Sequence, residues 1–186
     1  MEKRAHITDT VLHLLEDLVH GNSRANICVI MSRDTRVAKA VAHKGYRAVV
    51  VGDKFKPLFR FCQQKPPYNP VLAVEGRFRE LPLLPEAFDA IVVARPFPKG
   101  SDVGRELLRL QRFLKSSGTL MWVHPHYEGM IGKLRRAFAS KWYRMARHSL
   151  CQTAMANGFT EIGQELVRVG GTVKYVLTRA TIRRII

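Results

Sequence analysis

Asn26-Ile27-Cys28-Val29-Ile30-Met31 is a β-type run, and Arg47-Ala48-Val49-Val50-Val51 is a second one that leads into Gly52-Asp53. Between them lie a polar break, Ser32-Arg33-Asp34-Thr35, and a stretch from Val37 to His43 that reads as a helix ended by Gly45. Strand, helix and strand in so short a span make a βαβ unit, whose crossover is almost always right-handed. That unit decides the fold class.

The alternation continues on both sides of it. Ile7, Val11, Leu12, Leu14, Leu15, Leu18 and Val19 fall at helical spacing and stop at Gly21-Asn22. After the second strand, Lys54 to Gln64 reads as a helix halted by Lys65-Pro66-Pro67. Val71 to Glu75 and Ala90 to Val93 are strands, and Val103 to Leu114 is a helix carrying Leu107, Leu108 and Leu110. Ser116-Ser117-Gly118 is a break before the strand Thr119 to Val123, and Ile131 to Asn157 is mainly helical. Glu161 to Val169 and Thr172 to Thr178, around Gly170-Gly171, form a hairpin. The expected architecture is α/β: a doubly wound, mostly parallel seven-stranded sheet, Rossmann-like, ending in an antiparallel hairpin. One domain over 1–186 is expected, with an N-terminal helix at 1–22, a core at 26–180 and a basic, apolar tail at 181–186. Ligands of such folds lie outside the carboxyl ends of the strands, which makes the strand tips the place to look.

Composition narrows the function. The 186 residues include 31 Lys+Arg against 15 Asp+Glu, a formal charge of +16, with 46% hydrophobic residues. A domain of this size buries roughly 70% of its unfolded surface. The excess positive charge therefore lies outside and repels itself unless an anion relieves it. Nucleic acid, an anionic membrane surface, an acidic protein or a phosphorylated ligand all fit better than a partnerless metabolic enzyme. No apolar run approaches the ~18 residues of a membrane span, and Met1 to Asp9 is unlike a signal peptide. Cys28, Cys62 and Cys151 are widely spaced and form no C-x-x-C pair. A disulfide framework and structural zinc are both disfavoured, and a reducing cytoplasm is the expected location.

Local sequence adds a resemblance. Glu75-Gly76-Arg77-Phe78, continuing to Phe88-Asp89-Ala90-Ile91-Val92-Val93, looks like G-D-A-E-x-L-P-F…F-D-x-V. Arg105 to Leu120 is similar to R-E-x-x-R-V-L-K-P-G-G-x-L, and Asn157-Gly158-Phe159 looks like A-G-F. In this order the stretches resemble the class I S-adenosylmethionine-dependent methyltransferase superfamily (type 11-like) over nearly the whole chain. The resemblance implies that superfamily's fold; fold alone does not establish activity.

The cofactor loop departs from the pattern. The family's first motif, V-L-D-x-G-x-G-x-G, falls on Ile27 to Thr35, with Val29 at the acidic position and Met31, Arg33 and Thr35 at the three glycine positions. Glycine there lets backbone approach the ligand closely, so side chains at these positions should crowd it. Arg33 would also face a sulfonium cation. Asp53 matches the acidic residue that accepts from the ribose hydroxyls, or is a solvated turn residue. Arg77 replaces the usual Asp before the adenine-facing position, and Phe78 either stacks on a base or packs. Ala94-Arg95-Pro96-Phe97-Pro98 keeps the shape of the N-methylators' N/D-P-P-Y/F but lacks the Asn/Asp, and offers no catalytic base. The degenerate pocket, Met31, Arg33, Asp53, Arg77, Phe78 and Arg95, has either decayed and filled with its own side chains or been recast for an anion. Decay is the reading taken. No cofactor is then expected; S-adenosylmethionine is the cofactor if the pocket functions.

Two further features carry chemistry. His124-Pro125-His126 after the fifth strand is expected to be a polar loop, with a metal or acid–base role as the sharper alternative. From Gly129 to Thr160 no acidic residue occurs, while Lys133, Arg135, Arg136, Lys141, Arg144 and Arg147 accompany Trp142 and Tyr143. Lys54, Lys56 and Arg60 alternate with Phe55 and Phe59 in a second cluster. Base and aromatic together suit phosphates and nucleobases, or an interfacial helix on anionic lipid. The expectation is a catalytically inactive methyltransferase-fold protein, a basic binding subunit of a complex or oligomer with RNA the favoured anionic partner. The alternatives are an active methyltransferase with an atypical cofactor loop, and a scaffold at a membrane surface or in a protein complex.

Overall fold

A computed structural model of the chain describes residues 7–19, 22, 24–31, 35–52, 55–64, 71–76, 80, 83–94, 102–127, 147–168 and 173–182. In chain order the elements are α1 (Ile7–Leu18), β1 (Asn26–Met31), α2 (Arg36–His43), β2 (Arg47–Gly52), α3 (Phe55–Gln64) and β3 (Val71–Glu75). They continue with β4 (Phe88–Ala94), α4 (Val103–Phe113), β5 (Leu114–Tyr127), α5 (Arg147–Ala156), β6 (Phe159–Arg168) and β7 (Val173–Ile182). The strands form one seven-stranded sheet in the order β3-β2-β1-β4-β5-β7-β6. β1 to β5 are parallel, while β7 runs antiparallel to both β5 and β6. The α/β architecture and the closing hairpin are as the sequence reading expects.

The pleat of β1 divides the core in two. Successive strand residues point to opposite faces, so Ile27, Val29 and Met31 join a cluster with Val11 and Leu15 of α1, Val37 and Val41 of α2, and Phe61 of α3. Cys28 and Ile30 enter a second cluster with Leu107 and Leu110 of α4, Leu150 and Ala154 of α5, and Trp122 of β5. A strand buried on both faces must be apolar throughout, which is why β1 reads as an unbroken run.

α2 ends at Gly45, whose φ of +86° is the left-handed stop that a side chain resists. Lys44 ties the same end to α1 by donating to the Glu16 carboxylate. That bond is the main reason the Lys44 pKa lies above its ordinary value. α4 starts at Asp102, whose carboxylate accepts from Gly104 N at 2.8 Å and from Arg105 N at 3.4 Å. At its other end the Arg112 and Phe113 carbonyls accept from the Glu86 and Ala87 N–H groups, which satisfies orphaned acceptors.

Three expectations change. Ser116-Ser117-Gly118 is not a break, because α4 leads directly into β5 and Lys115 to Gly118 bulge opposite Asp89. Asp89 holds the bulge by accepting from Lys115 Nζ at 2.7 Å, and it accepts from Asn26 N at 2.8 Å. His124-Pro125-His126 is not a loop but strand backbone, paired with Val176, Tyr175 and Lys174 of β7. The β4 pairing reaches Val93↔Trp122 among the described residues. Thr181 and Ile182, assigned to a tail, are the last residues of β7, and Ile182 is buried against the second cluster. Of the helix expected over 131–157, the final stretch is α5; residues 128–146 lie outside the described residues.

Candidate functional site

The carboxyl ends of four strands finish level. Met31 pairs with Gly52 on one side and with Ala94 on the other, and Gly52 pairs with Glu75. Gly76 N extends this edge by donating to the Gly52 carbonyl at 3.1 Å. Of the residues expected to shape a pocket here, Met31 is described. Arg33, Asp53, Arg77, Phe78 and Arg95 lie outside the described residues.

Met31 is the last residue of β1, paired on both sides, and its thioether chain is fully buried in the first core. Thr35, at the third glycine position, caps α2 with φ −96° and ψ −1°, a conformation open to any residue. Its side chain makes no cap hydrogen bond, while its carbonyl accepts from Lys39 N at 2.9 Å. The positive-φ positions among the described residues are Gly45, Glu86, Gly158 and Glu161, none of them at this edge. A glycine turn that brings backbone against a methionine moiety therefore has no counterpart at Met31 or Thr35.

The fold is similar to that of solved enzymes. An N-methyltransferase from Burkholderia thailandensis acting on 1,6-didemethyltoxoflavin is similar at a TM-score of 0.72 and 15% identity, over 95% of this chain and 78% of that one. The chain has the class I S-adenosylmethionine-dependent methyltransferase fold. The N-methyltransferase NodS of Bradyrhizobium japonicum superposes with this methyltransferase fold at a TM-score of 0.70 and 14% identity, over 98% of this chain and all of NodS (100%). Phosphoethanolamine N-methyltransferase 2 of Haemonchus contortus, solved with S-adenosyl-L-methionine, gives 0.69 at 12% identity over 95% of this chain. The present chain covers 53% of that enzyme, about half its length. No protein-family model and no curated protein matches the sequence.

Within the methyltransferase fold, the family-like residues away from the cofactor edge have packing tasks. Gly158 stops α5 with φ +80°, and a Cβ there would meet Gln111 Nε2 at 3.0 Å. Phe159 is buried beside Trp122, ring centroids 6.3 Å apart. Cys28 lies wholly in the second core, where desolvation pushes its thiol up to about 12.

The basic surface divides similarly. Lys56 and Arg60 lie exposed on α3 together with Phe59 and Gln63, at the i, i+3, i+4 and i+7 spacing of one helix face. Lys54, Lys133, Arg135, Arg136, Lys141, Trp142 and Arg144 lie outside the described residues; Arg147 begins α5. Sequence reasoning missed Arg105, Arg109 and Arg112 of α4, which line a groove on the opposite side of the sheet from α3. Their i, i+4, i+7 spacing was the available signal. Among the described residues no group of three His, Cys, Asp or Glu is placed to hold a metal ion, and no helix is long and apolar enough to cross a membrane.

Proposed function

We propose that this chain uses the methyltransferase fold for binding rather than for methyl transfer, with an anionic polymer, RNA in a larger assembly, as its partner. The observation that carries this reading is Met31: β1 ends on the first glycine position and fills it with a buried core side chain. Removing a residue of that kind to make room would cost core packing, so the cradle is replaced rather than merely closed. The charge of +16 and the Lys56, Phe59, Arg60 and Gln63 face of α3 support a polyanionic partner. Cationic side chains neutralise phosphates while aromatic faces stack on bases.

The test is binding of single-stranded RNA followed by fluorescence anisotropy across a salt series. The expected result is an affinity that falls linearly in log–log form as counterions are released. Weak binding that ignores ionic strength would contradict the reading. The rival, an active methyltransferase with an atypical loop, is favoured by the S-adenosylmethionine held by the Haemonchus enzyme of the same fold. It predicts micromolar binding of that cofactor by calorimetry.

A further inference from the structure

α4 presents an arginine stripe that the cofactor edge does not use. Arg105, Arg109 and Arg112 line a groove of about 610 Å³. At 1.5 Å of rise per residue, the outer two stand about 10 Å apart along the helix with the third between them. Leu108, in the middle of the stripe, leaves 47% of its surface exposed, and Gln111 adds an amide.

The two acids among the described residues of the groove subtract little from this stripe. Glu106 is buried at 3% exposure, its carboxylate 3.9 Å from Arg109 Nη1, so it lies beneath the stripe. Asp102 is turned to the helix end, where its carboxylate accepts from backbone N–H groups. Arg105 and Arg112 are exposed, and their guanidinium forks match phosphate oxygens two at a time.

From this geometry we infer that the α4 groove takes the sugar–phosphate backbone of a single-stranded nucleic acid, with successive phosphates on successive arginines and Leu108 against a sugar or base. The inference rests on the proposed polyanion-binding role and assigns it a site. A row of cations in a groove follows a strand; a lipid surface instead calls for a protruding face with several apolar anchors.

The test compares wild-type protein with the triple variant Arg105→Gln, Arg109→Gln, Arg112→Gln and with the α3 variant Lys56→Gln, Arg60→Gln. The probe is a labelled oligouridylate, and thermal melting checks that each variant is folded. Loss of three phosphate contacts lowers the slope of log affinity against log salt by about 2 and weakens binding about tenfold at moderate salt. A folded triple variant with wild-type affinity and slope would overturn the groove assignment while leaving the polyanion reading intact, provided wild-type protein binds. Absence of wild-type binding would instead defeat the reading on which it rests. A triple variant that loses only anionic-vesicle binding and retains the oligouridylate would also overturn it.

Discussion

The β4–α4–β5 region and the carboxyl end of β1 are neighbours in one sheet, yet they treat their unusual residues differently. In the first, and at the α5–β6 junction packed in the same core, the polar and glycine residues have packing or hydrogen-bonding tasks. Asp89 anchors the β5 bulge, Asp102 caps α4, and Gly158 with Phe159 stops α5 and fills the core. At the end of β1, the positions that glycine would keep open carry Met31, Arg33 and Thr35, and Met31 is spent on the core. The residues that build this fold are thus separable from the positions where the family's cofactor glycines fall, and the proposed binding role rests on that separation.

The sharpest way to break that contrast is Met31→Gly. If Met31 is a packing residue, the variant loses about 3 kcal/mol in urea denaturation, from a cavity plus added backbone freedom, and gains no S-adenosylmethionine binding. Unchanged stability with new cofactor binding would show a latent cradle. Asp89→Asn sharpens the other side. It weakens the charge-assisted bonds to Lys115 and Asn26 and should cost about 2 kcal/mol by the same measurement.

Two glycines grade the effect further. Gly158→Ala meets both a positive φ and the Gln111 amide, whereas Gly45→Ala has a positive φ but open space. The expected losses are about 2 and about 1 kcal/mol, so equal melting temperatures for the two variants would contradict the packing role of Gly158. Cys28 has the smallest effect at neutral pH. Its folded pKa is raised from 9.0 to about 12, so its contribution is complete below about pH 9 and is lost as pH rises towards 12. Cys28→Ser should flatten that alkaline decline, read from melting temperatures between pH 8 and pH 11 (roughly the titration window).

The succession of strands and helices was legible because β1 and β2 are apolar along their length and α2 alternates with them at helical period. The bulge was not, since Ser116-Ser117-Gly118 has turn chemistry and its anchor, Asp89, comes from another strand. The extension of β5 was hidden by Pro125, which argues against a strand unless one edge is unpaired. At the cofactor edge the departure was legible residue by residue, but the burial of Met31 depends on which face of β1 meets α1 and α2. The α4 arginines were illegible for a different reason. Their spacing is also that of any solvated face, and only the groove distinguishes them.

The most direct test of the account is a thermal-shift titration of the wild-type protein with S-adenosylhomocysteine. A ligand that occupied a working cradle at about 100 times its dissociation constant would stabilise the fold by about 2.7 kcal/mol. For a chain of this size that raises the melting temperature by about 5–10 °C. The account predicts no shift at millimolar ligand; a saturable rise with a micromolar midpoint would contradict it.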